Sequence, residues 1–154
     1  MTLAISSPAF APHEAIPLAH TIDGANISPP LHWTGLPARA TALALIMHDP
    51  DAPAGDFVHW VMFNIPATLG HLPEGAQHRG DFADGIVQGC NSLNRVGYDG
   101  PMLPPGKAHR CVFDLFALDE PLRLHSGATR DDLMIAIQGH VLDAAELVCS
   151  SQRQ

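Results

Sequence analysis

Three titratable side chains, Asp49, His59 and His109, sit where apolar runs meet polar turns. Side chains of an extended chain alternate, so Leu43, Leu45 and Met47 share a face and Asp49 continues that parity. The same parity groups Phe57, His59, Val61 and Phe63, and it groups His109 with Cys111, Phe113, Leu115 and Ala117. If the first two runs pair as a hairpin, Asp49 and His59 meet at one loop end. Apolar walls with a few polar groups at the rim are the usual build of a small pocket. Anion binding is one chemistry open to this set. A neighbouring carboxylate favours charged histidine, so His59 and His109 are expected to act as cationic donors. The carboxylates can accept from a protonated phosphate oxygen or a ligand ammonium, and amides of a Gly-rich loop can add donors.

The same residues admit a second chemistry. An Asp and two His could ligate a metal and present a water, which makes a metal- or His/Asp-dependent hydrolase the alternative function. The chain has no HExxH and no compact His-x-His spacing, and most candidate ligands fall on loops. No metal ligand, catalytic residue or cofactor is therefore assigned. Cys111 and His109 could be nucleophile and base, but two residues apart on a strand they stand roughly 7 Å apart, too far for a direct hydrogen bond. Each residue also has a plain structural role: an Asp before Pro caps a turn, and a lone His on an apolar face is often a hydrogen-bonded core residue.

The elements that must position these groups are legible as runs and breaks. Thr41–His48, TALALIMH, reads as a strand buried on both faces. A loop rich in Asp, Pro and Gly follows over 49–56, then an aromatic and β-branched strand over Phe57–Ile65, closed by Pro66. Residues 67–84 read as surface turns, and 97–106, GYDGPMLPPG, as irregular chain. A third strong strand spans about Arg110 to Leu118. One helix starts near Thr129, where Thr129 and Asp132 resemble a capping box. Leu133, Ile137 and His140 or Val141 recur on its face, with Gly139 weakening its end, and Ala145–Cys149 reads as a short last strand.

Composition narrows the class. With 154 residues the chain is expected to be one domain, residues 1–154, and 14 prolines with 13 glycines among short apolar runs favour a mainly β fold. A net charge of −8 argues against a nucleic-acid or anionic-membrane footprint. Cys90, Cys111 and Cys149 are odd in number and form no CxxC, so neither a zinc ribbon nor a disulfide framework is indicated. The N-terminus lacks a basic region followed by an apolar core, and no stretch reads as a transmembrane segment; a cytoplasmic location is the expectation.

DPDAP at 49–53, HW at 59–60 in a strand ending NIP, and GPMLPPGKAHR at 100–110 resemble, in this order, the signature blocks of the phosphatidylethanolamine-binding protein (PEBP) family. ISPPLHW at 27–33 and GHVLDAAELV at 139–148 resemble its bacterial branch, which is called Raf-kinase-inhibitor-like. The resemblance implies a large antiparallel sheet packed on a smaller one, with a short helix near the C-terminus. It also implies a pocket for phosphate or a phospholipid head group formed by Asp49, Asp51, His59, Pro101 and His109. Some animal members inhibit kinases, so a protein partner is a further expectation, as is a homodimer. Where the family commonly has Tyr after His-Arg, this chain has Cys111, expected to line a wider, more apolar pocket. Its tail reads Cys149, Ser150, Ser151 in place of Gly-Thr-Tyr.

Overall fold

The run expected to be buried on both faces lies at the centre of the larger sheet. The computed structural model describes residues 2–53, 55–76, 85–102 and 106–152. Its strands are β1 (Ala4–Ser6), β2 (Leu31–Thr34), β3 (Ala42–Asp49), β4 (Phe57–Pro66), β5 (His71–Leu72), β6 (Val87–Gln88), β7 (His109–Leu118) and β8 (Val141–Ser151), with helix α1 (Arg130–Ala136) before the last. A five-stranded sheet has the order β6-β4-β3-β7-β8 and a three-stranded sheet the order β1-β2-β5, with every strand pair antiparallel.

Because β3 is central, its alternate side chains enter two different cores. Leu43, Leu45 and Met47 pack between the sheets with Ile5, Leu31 and Trp33. Ala44 and Ile46 pack on the opposite face with Val61, Phe63, Leu133 and Ile137, beneath the helix. The resulting layers are small sheet, large sheet and helix. Helix α1 starts as expected: the Thr129 hydroxyl accepts from the Asp132 amide, and the Asp132 carboxylate accepts from the Thr129 amide.

Two elements differ from their sequence pattern. The helix does not reach His140 or Val141; Ile137 is its C-cap, and Gly139 turns the chain at φ +82°. Val141 instead opens an 11-residue strand, far longer than Ala145–Cys149, because all of β7 is available as a partner. Within 67–84, read as turns, His71–Leu72 form β5 against β2, while residues 77–84 lie outside the described residues.

Candidate functional site

Two β-bulges in β4 decide where His59 points. The pairing runs Leu43↔Ile65, Leu45↔Met62, Met47↔Trp60 and His48↔Val58, so β4 gains an extra residue twice. One insertion lies at Phe63–Asn64, where Asn64 takes φ +58° and is held by its amide to Leu122 on both sides, at 3.0 and 2.7 Å. The other is His59 itself. Strict alternation would put Val61 and Phe63 on the face of His59, but the bulges send them under the helix and turn Trp60, Met62 and Ile65 to the inter-sheet core. His59 stays near Asp49: Asp49 pairs with Phe57, whose ring lies 5.1 Å from the imidazole.

His59 is only 2% exposed. Its Nδ1–H donates to the Asp99 carbonyl at 2.9 Å, while the Asp99 amide donates to the His59 carbonyl at 3.1 Å. Burial pushes the imidazole down from 6.5 to about 4, overriding its carboxylate neighbours. His59 is therefore neutral near pH 7 and is not the cationic donor expected. Its buried Nε2 carries a lone pair with no hydrogen-bond partner among the described residues.

Asp99 was not anticipated, and it organises the Gly-Pro loop. Its buried carboxylate accepts from Asn26 at 3.0 Å and Asn91 at 2.8 Å, and Arg95 stands 3.7 Å away. Asn26 in turn accepts from the Gly100 amide at 2.7 Å. Gly100 is required by close approach, since a Cβ there would lie 2.0 Å from the His20 carbonyl oxygen. The hydroxyl of Tyr98 donates to that same carbonyl, and the Pro101 carbonyl accepts from Ile22 at 3.2 Å. Asn26, Asn91 and Asp99 come from separate stretches of chain, and no local motif marks their contacts.

Asp49, 1% exposed, holds the second histidine. Its Oδ2 accepts from Nδ1–H of His109 at 2.7 Å, and its Oδ1 accepts from the Asp51 amide at 2.7 Å. Asp51 itself is occupied. It accepts from the Arg110 amide at 2.9 Å and from the guanidinium at 3.1 and 3.0 Å, which holds its carboxyl at about 2. Asp51 thus clamps the loop after β3 onto β7.

Cys111 lies two residues along β7 from His109, 1% exposed in the inter-sheet core and directly opposite Cys149. Hydrogen bonding to Cys149 and burial push its thiol far above the ordinary range, so it has no thiolate for nucleophilic chemistry. Pro101 lines a neighbouring cleft of about 280 Å³ with Thr21, Asp23, Ala108, Ser150 and Ser151, and Ser151 pairs with His109. Asp49, His59 and His109 thus converge, Pro101 flanks them, and Asp51 and Cys111 support from outside and below. Among the described residues, no group of three or more His, Cys, Asp or Glu could hold a metal ion.

Two antiparallel sheets with one short helix near the C-terminus define a mainly β fold. The chain belongs to the phosphatidylethanolamine-binding protein family, whose model it matches over residues 6–152. It is 46% identical to a UPF0098 protein of Methanothermobacter thermautotrophicus over 144 residues, covering 94% of this chain and 95% of the relative. A UPF0098 protein of Chlamydia pneumoniae is 44% identical over 147 residues, covering 92% and 93%. The crystal structure of Escherichia coli YbcL, described as a new member of the mammalian PEBP family, matches with a TM-score of 0.93 at 27% identity over 100% of both chains. The PEBP homologue CT736 of Chlamydia trachomatis matches at 0.90 with 34% identity over 99% of each. The two-sheet fold with a short helix near the C-terminus is that of the family. No helix is long and apolar enough to cross a membrane among the described residues.

Proposed function

We propose that the Asp49–His59–His109 pocket binds a phosphate monoester in its singly protonated form. The carrying observation is the pairing of unlike histidines. His109, backed by the Asp49 carboxylate at 2.7 Å, can carry a second proton and donate from Nε2 to an anionic oxygen. Neutral His59 offers only a buried lone pair, which suits the P–OH of a monoanion. The name of the family points to a phospholipid head group, and the cleft beside Pro101 has room for the alcohol portion. Binding is preferred over hydrolysis because neither His59 nor His109 is hydrogen-bonded to a hydroxyl or thiol among the described residues.

Calorimetric titration at pH 6 with methyl phosphate and with sulfate tests this. Sulfate has the tetrahedral shape and one more negative charge but no proton for His59, leaving an acceptor unsatisfied. It should bind at least about tenfold more weakly, the equivalent of one unmade buried hydrogen bond. Affinity for methyl phosphate should fall as pH rises above about 6, where the ligand loses that proton. Equal or tighter sulfate binding, or no effect of His109→Ala on phosphate, overturns the proposal.

A further inference from the structure

We infer that His32 and His71, paired face to face on the outer surface of the small sheet, form a binding site for a transition-metal dication such as Zn²⁺. His32 on β2 is the register partner of His71 on β5. The neighbouring amide of Trp33 donates to the Gly70 carbonyl at 3.2 Å, which makes positions 33 and 70 a hydrogen-bonded pair. The adjacent pair, His32 with His71, is then of the non-hydrogen-bonded kind, in which opposed side chains stand closest, with Cα atoms about 4.5 Å apart.

The rings already lie over one another, with centroids 5.8 Å apart and planes inclined by 22°. Both residues are exposed, and no hydrogen bond or ion pair engages either ring among the described residues. The backbone beneath them is fixed by the inward side chains: Leu31 and Leu72 are wholly buried, and Trp33 Nε1–H donates to the Leu69 carbonyl at 2.9 Å. Small rotations of two free side chains bring one nitrogen from each ring to a shared metal at about 2.0–2.1 Å. Imidazole pairs of this kind select Zn²⁺, Cu²⁺ or Ni²⁺ over Mg²⁺ and Ca²⁺, which prefer oxygen ligands. With two protein ligands, the other coordination positions fall to water.

The test is Zn²⁺ titration by calorimetry at pH 7.5 on wild type, His32→Ala, His71→Ala and Asp49→Asn. Wild type should bind one Zn²⁺ per chain, and either histidine substitution should weaken that binding about tenfold or more. Asp49→Asn should leave it unchanged, separating this site from the pocket. Affinity should decline on acidification as protons compete for the nitrogens, and Mg²⁺ should not compete. With Cu²⁺, the electron paramagnetic resonance spectrum should show two imidazole nitrogens. Because both positions are exposed, the alanine variants should keep the wild-type melting temperature. Zinc binding that survives both substitutions, or no binding below millimolar Zn²⁺, overturns the proposal.

Discussion

His59 and Cys111 have the same lesson in opposite directions: burial fixes which charge state a group can hold. At His59 it keeps the imidazole neutral, so its Nε2 can only accept a hydrogen bond. At Cys111 it keeps the thiol protonated beside Cys149. Cys111 was expected as a pocket wall where relatives have a phenol; its 1% exposure and its place in the inter-sheet core make it a packing residue. Cys111→Tyr should therefore overpack the core and lower stability by about 1–3 kcal/mol, measured by urea unfolding. A loss well below that range would mean that space for a ring exists beside the thiol.

At the scale of elements, the loop after β3 is held at both ends by ion pairs that do not belong to the pocket. Asp51 is clamped to Arg110 on β7. At the loop's far end, Asp56 faces His48 Nδ1 at 2.7 Å and pairs with Arg130 of the helix, while His48 Nε2 faces Asp114 of β7 at 2.9 Å. Neutral imidazole could donate to only one of the two carboxylates, so the geometry demands the cation. The hydrogen bond to Asp114 raises the pKa of His48, as does Asp56, against the opposing effect of burial. A raised folded-state pKa adds stability that is complete below 6.5 and is lost as pH climbs through the folded value. Asp114→Asn should remove part of it. The wild-type advantage over this variant should be about 1 kcal/mol larger at pH 6 than at pH 8.5, a figure discounted for the partial exposure of His48. Equal advantage at both pH values in urea titrations would show that His48 is not charged in the clamp.

For the whole molecule, the acid limb of stability should carry the mark of His59. Its folded-state pKa of about 4 lies below the ordinary 6.5, so the unfolded chain takes up a proton that the fold refuses. That contribution is present above pH 6.5 and is lost as pH falls towards 4, about 3 kcal/mol in all. The carboxylates of Asp51, Asp56 and Asp143, all depressed, lose their contributions at lower pH. His59→Gln, whose amide can still donate to the Asp99 carbonyl, should flatten the limb between pH 6.5 and 4 and leave the lower one. Calorimetric melting across this range checks it, and an unchanged slope in the variant would assign the limb elsewhere.

What the sequence determined by itself was the local grammar and the membership. The double-sided apolar run at 41–48, the capping box at Thr129, and the signature blocks of the family are all patterns within a few residues of one another. They suffice to name Asp49, His59, Pro101 and His109 as candidates for one site. Tertiary structure decided what those residues do. The bulge at His59 shifts parity by one residue, and no feature of FVHWVMFNI announces it, because it depends on register against β3. Asp99, Asn26 and Asn91 act through contacts across 8 to 74 positions, invisible to any local pattern. Asp51 was bound by Arg110, and His59 was stripped of its charge, because solvation and partner geometry set protonation, and both exist only once the chain has folded.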